Sequence, residues 1–196
     1  MPNLISLGSF SFQRSGITEI EDLGHITEIP GYNAASFHGC PNLTKVVLPT
    51  SCTKLGINCF SVCRNLTTIY PTDNLTTLEN CCLRTLGVIS SILNFKNVVN
   101  MDSIFCSSGY PNGNNRTICK QIYLPKVVDP KDKNGYINMS NKYYRGGSFG
   151  DISTEILYLR DIQHFYGPSF HNSQITNLVI NNITPPTIHY TRDYTY

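Results

Sequence analysis

Apolar positions return along this chain in a fixed phrase, with polar residues filling the gaps. Phe37, Cys40 and Leu43 come back as Phe60, Cys63 and Leu66, each pair separated by the same interval. A self-similar period of a little over twenty positions marks a solenoid, in which each turn joins a strand to a return segment and buries its apolar face only against its neighbours. Within the phrase, Val46 and Leu48 alternate with outward-facing residues, which predicts a strand lining a core. Pro49 ends that strand, because proline has no N–H for a continuing ladder.

The same reading carries along the chain. Leu7, Gly8 and Phe12 match Leu55, Gly56 and Phe60, so the chain opens inside a repeat. Ile17 to Asp22 reads as a short alternating strand. The step from Ile20 to Val46 is slightly longer than the period, which places extra residues around Pro30 to Asn33. The third turn runs through Leu66, Ile69, Leu75, Leu78, Cys82 and Leu83. The fourth runs through Ile89, Ile92, Val98, Met101 and Phe105, but Asn94 stands where Leu48 predicts an apolar residue, so its strand is expected to be short.

Beyond Phe105 the period stretches. Ile122-Tyr123-Leu124-Pro125 repeats Val46-Val47-Leu48-Pro49, but farther from Ile92 than the period allows, across an insert near 107–117 that is dense in turn formers. Leu157-Tyr158-Leu159 follows after a longer step still, beyond a polar insert near 129–147. Ile162, Phe165 and Phe170 restore the return segment, and Leu178-Val179-Ile180 is the last clear strand. The tail 181–196, with Pro185-Pro186, reads as an end cap that blocks further strand addition. The expectation is a single domain, 1–196, of about seven irregular turns.

Charge narrows the partners. Charged residues are 14% of the chain and the net charge is +2, which leaves no basic field for nucleic acid or anionic lipid. No apolar run approaches the roughly 18 residues of a membrane span, and the opening MPNLISLGSFSF has no secretory-signal pattern.

The eight cysteines follow the repeat: Cys40 and Cys63 share one position, Cys59 and Cys82 another, and Cys52 falls where the next turn has Leu75. That placement reads as small buried hydrophobes rather than a zinc site, with one or two cross-turn disulfides as the alternative. Adjacent Cys81 and Cys82 are not expected to point inward together.

Aligned, the turns follow L-x-x-I-x-L-P-x-x-x-x-x-(I/L)-G-x-x-(A/C)-F-x-x-C-x-x-L. This consensus resembles the BspA-like (Treponema pallidum type) leucine-rich repeats, and Thr184-Pro185-Pro186-Thr187 is similar to the ending that follows their last repeat. The resemblance implies a leucine-rich-repeat solenoid with a parallel β-sheet on its concave face and irregular or short 3-10 helical segments on its convex face. It also implies a surface or secreted protein of host-associated bacteria or some protists, engaged in adhesion. Fold alone does not transfer that role.

Residues between the inward positions are expected to stack into an open stripe about 30 Å long at a strand spacing of about 4.8 Å. They are Glu21, Val47, Tyr70, Leu93, Tyr123, Tyr158 and Val179. A row of tyrosines beside apolar residues suits a protein or glycan ligand, and it equally suits ordinary strands covered by the inserts. Glu19, Lys45, Thr68, Ser91, Gln121, Ile156 and Asn177 form the polar rim. In the inserts, Tyr110, Arg116, Tyr143 and Tyr144 have the mix of adaptable binding loops.

Catalysis has little support. The histidines lack ligand-spaced partners, the serines lack a nucleophile elbow, and Gly146 to Gly150 lacks a phosphate-binding lysine, so no catalytic residue, metal or cofactor is assigned. Asn42-Leu43-Thr44, Asn65-Leu66-Thr67 and Asn74-Leu75-Thr76 match the glycosylation sequon but recur with the repeat. The reading is a non-enzymatic extracellular binding module. The alternative is a structural spacer that self-associates end to end through its terminal repeats.

Overall fold

The structure, a computed structural model, describes residues 3–31, 35–101, 104–105, 117–123, 152–160, 164–166, 173–181 and 187–189. In chain order its strands are β1 (Glu19–Ile20), β2 (Glu28–Ile29), β3 (Lys45–Val47), β4 (Lys54–Leu55), β5 (Thr68–Tyr70), β6 (Thr77–Leu78), β7 (Val88–Asn94), β8 (Asn100–Met101), β9 (Thr117–Tyr123), β10 (Ile152–Arg160), β11 (His164–Tyr166), β12 (Gln174–Asn181) and β13 (Thr187–His189).

Every pairing is parallel. The front is built from β1-β3-β5 and then β7-β9-β10-β12, and a back ladder runs β2-β4-β6-β8, with β11-β13 continuing the alternation. The return segments, expected to be irregular or short 3-10 helices, are turns and two-residue strands among the described residues.

The core lies between the two ladders. Ile20, Val46, Ile69, Leu93, Ile122 and Leu157 form one buried column, and Leu43, Leu66, Ile89 and Cys119 a second. Phe12, Phe37 and Phe60 stack with centroids 5.3 and 5.5 Å apart and nearly parallel rings, a direct result of the phenylalanine repeat. Gly31 and Gly56 meet backbone to backbone, where a Cβ on either would overlap the other's main chain, so this contact admits only glycine.

Side chains reinforce the stacking. The hydroxyls of Thr44, Thr67 and Ser90 each donate to a carbonyl of the preceding turn, as do those of Thr53 and Thr76 on the back. Asn65 Nδ2 likewise donates to the Pro41 carbonyl, 2.7 Å away. The N-L-T triplet at Asn65 and Thr67 therefore owes its recurrence to turn-to-turn hydrogen bonds.

Three corrections concern the later strands. β7 is seven residues long rather than short. Thr117 belongs to β9 and is buried, not part of the insert. The tail does not leave the repeat altogether, since Thr187–His189 pairs with β11. The insert residues 106–116 and 124–151 lie outside the described residues.

The cysteines divide. Cys40, Cys52, Cys59, Cys63, Cys82 and Cys119 are free and buried. Cys81 is disulfide-bonded. Cys81 and Cys82 are both buried, but only Cys82 joins the core cluster. Cys81 has a left-handed backbone, φ 56°.

Candidate binding face

The front-sheet row follows from strand register. Val47 pairs with Tyr70, Asn94 with Tyr123, Tyr123 with Tyr158, and Tyr158 with Val179. The expected stripe is present with one change of member. Leu93 is fully buried and pairs with Ile122, whereas Ile92 is 50% exposed; Asn94 takes the stripe position.

The cause is a bulge between Ile89 and Ile92. One extra residue there shifts every following side chain to the opposite face. Ser91 turns into the junction: its hydroxyl accepts from Ile69 N–H and donates to Ile69 C=O, both at 3.1 Å, replacing the ladder between β5 and β7.

Tyr123 and Tyr158 stack with ring centroids 4.3 Å apart and planes 9° from parallel. Gln121 Nε2 donates to Tyr123 Oη at 2.8 Å and fixes that ring. Partial desolvation, followed by the adjoining Tyr123 hydroxyl, pushes the Tyr158 phenol above its ordinary value. Beside the pair, Val179 on β12 is 39% exposed and Ile92 on β7 50%, while Val88 and Ile118, about half exposed, pair with each other at the opposite end of β7 and β9. Sequence reasoning missed Ile92, Ile118 and Val88, because their outward direction depends on the bulge and on β9 beginning at Thr117.

The opposite end of the row is charged. Lys45 Nζ lies 2.9 Å from Glu21 Oε1 and 3.8 Å from Glu19 Oε2. The hydrogen bond and charge of Lys45 hold the Glu21 carboxyl below its ordinary value and raise the lysine in return. Tyr110, Arg116, Tyr143 and Tyr144 lie outside the described residues.

Burial and hydrogen bonding distinguish the described thiols from one another. A hydrogen bond between Cys40 and Cys63 lowers Cys40 and raises Cys63, while burial lifts Cys52 to about 11 and raises Cys59 and Cys119 further. Cys40 itself is buried, with its sulfur on the Phe12 carbonyl at 3.0 Å. Among the described residues, no three of His, Cys, Asp or Glu stand close enough to share a metal ion.

A family model, the BspA type leucine rich repeat region, matches residues 1–110 in six copies. The chain belongs to the BspA type leucine-rich repeat family. Repeats of this type are protein-interaction modules, generally without enzymatic activity, and their carriers are typically surface-associated or secreted. No curated protein and no solved structure matches the chain. In this BspA type chain no helix among the described residues is long and apolar enough to cross a membrane.

Proposed function

We propose that this BspA type chain is an extracellular adhesion module that holds a protein ligand on its front sheet, the concave face of the solenoid. The carrying observation is the Tyr123–Tyr158 stack, 4.3 Å between centroids, with exposed Val179 and Ile92 on the neighbouring strands. Aromatic anchors amid apolar neighbours are what concentrate binding energy in protein interfaces.

The stack also bears on ligand class. A sugar ring packs on a free aromatic face, and here the two facing surfaces are spent on each other. The outer face of each ring looks along the sheet to a ladder neighbour, Asn94 beside Tyr123 and Val179 beside Tyr158, so the face presents chiefly ring edges, hydroxyls and aliphatic side chains, which favours a protein over a glycan. A suitable partner sets apolar residues over β9 to β12 and a cation toward Glu19 and Glu21 at the far end of the face.

The test is binding to a panel of host matrix proteins, surface proteins and glycans, repeated with the Tyr123→Ser/Tyr158→Ser variant. Loss of at least tenfold in affinity, about 1.4 kcal/mol, with the fold intact supports the face. Equal binding by the variant removes it.

A second reading, assembly end to end, is favoured by the outer edge of β12. Leu178 is 51% exposed although its ladder partner Leu157 is fully buried. Concentration-dependent dimers in light scattering would support that reading, and a monomer at high concentration would count against it.

A further inference from the structure

Cys40 and Cys63 hold the same place in successive turns. The turns are tied just before them: Gly39 N–H donates to Ser61 C=O at 2.8 Å, and Phe37 stacks on Phe60. Equivalent residues of stacked parallel turns lie about 4.8 Å apart, inside the span of about 4.4–6.8 Å between Cα atoms that a disulfide bridges. The side chains close the remaining gap. Cys63 Sγ reaches back onto the preceding turn, 3.1 Å from the Phe37 carbonyl, and the two thiols share a hydrogen bond.

The other stacked sulfurs are placed differently. Cys59 and Cys82 also share a repeat position, but Cys59 Sγ is directed at the Cys82 carbonyl, 3.8 Å away. Cys52 is matched in the next turn by Leu75, and Cys119 pairs with Ile89. Cys81 is already disulfide-bonded, and such bonds persist in oxidising compartments.

We propose that Cys40 and Cys63 are a site of covalent modification, an oxidisable pair that closes into a disulfide and locks the turn of Phe37 to the turn of Phe60. The oxidant is a low-molecular-weight disulfide. The extracellular reading enters only as the source of that oxidant.

The hydrogen bond assigns the order of events. It lowers Cys40 and raises Cys63, so Cys40 is the thiolate that attacks. Cys40 also lies toward the surface, with the half-buried Ser15 hydroxyl 3.6 Å from its sulfur, so a local opening of residues 12–15 admits the oxidant. Attack breaks the S–S bond of the oxidant, joins one of its sulfurs to Cys40 and releases the other as a thiol. Cys63 then no longer faces a thiolate, which removes the largest cause holding its proton. It gives up that proton and attacks the Cys40 sulfur, and the second small thiol leaves. Two cysteine thiols are oxidised to one disulfide, and one external disulfide is reduced to two thiols.

The test maps the folded full chain after incubation with glutathione disulfide. Remaining thiols are alkylated in urea at low pH, the chain is cut after lysine and arginine without reduction, and the peptides are sequenced by mass spectrometry. The expected product joins the peptide ending at Lys45 to the peptide ending at Arg64, with the bond on Cys63 and an alkyl group on Cys59. The bonded chain unfolds at a urea midpoint higher by an amount on the order of 1 M, because the bond constrains a loop of a little over twenty residues, and dithiothreitol reverses the gain. The Cys63→Ala chain stops at the Cys40 mixed disulfide, while the mapping of the unaltered chain depends on no variant. The Tyr123→Ser/Tyr158→Ser chain forms the same bond, so a failure of the binding face leaves this result standing. Alkylation of both Cys40 and Cys63 after the incubation, a Cys59–Cys82 bond in equal yield, or a bonded chain with an unraised midpoint overturns the proposal.

Discussion

Two adjacent residues in β7 separate the bulged register from a regular one. In the bulged strand Leu93 is fully buried and Ile92 half exposed. A strictly kept period would make Ile92 the core residue and Leu93 the surface one. Leu93→Ala removes three buried carbons, worth about 2.4 kcal/mol at about 0.8 kcal/mol each, and the cavity between Ile69 and Ile122 brings the loss to about 3–4 kcal/mol. Ile92→Ala removes side-chain surface that is already half in water, so its cost is about 1 kcal/mol or less.

Urea unfolding followed by far-UV circular dichroism and by tyrosine fluorescence measures both variants, the second probe being available because the chain has no tryptophan. Coincident transitions justify comparing the midpoints directly. An Ile92→Ala loss equal to or larger than that of Leu93→Ala would refute the bulge, and with it the placement of Asn94 on the face. Binding supplies the reciprocal test: Ile92→Ala weakens the front-sheet ligand, whereas Leu93→Ala leaves affinity unchanged at temperatures where the variant is folded.

Val62 has a left-handed backbone at φ 64°, where its repeat counterpart in the preceding turn is Gly39 at φ 68°. A β-branched residue in that conformation is strained by about 1–3 kcal/mol, and glycine's extra chain entropy offsets about 0.5–1 kcal/mol of the relief. Val62→Gly is therefore expected to raise the unfolding midpoint, and a lower midpoint in the same urea assay counts against the strain. Acid acts on the first turn. Glu21 is held below its ordinary value by Lys45, and Asp22 below its own by the Gly24 N–H. Depressed folded-state values stabilise above the unfolded values and lose that contribution as pH falls through the folded ones. Hydrogen exchange across residues 17–29 should accelerate as pH drops below about 4, after correction for intrinsic rates. Unchanged protection in that window, or the same profile in Glu21→Gln, would contradict it. Lys45 and Lys54 are raised above 10.5, so their contribution is complete below that pH and is lost at higher pH.

The repeat, and most of what the repeat places, could be read from the residues alone. Phe12, Phe37 and Phe60 at matching positions become a ring stack, and Val46 and Ile69 a core column, because parallel turns set equivalent residues over one another. For the same reason Val47–Tyr70 and Tyr123–Tyr158–Val179 were legible as neighbours from their spacing. What needed the tertiary structure was local. The extra residue between Ile89 and Leu93 is taken up again before Val98, which stays one full period after Leu75, so the period conceals it. The back ladder was hidden because two-residue strands are too short to alternate. A period counts residues along the chain. Exposure and edge pairing depend on the backbone path between those residues, and that path is settled only when neighbouring turns pack.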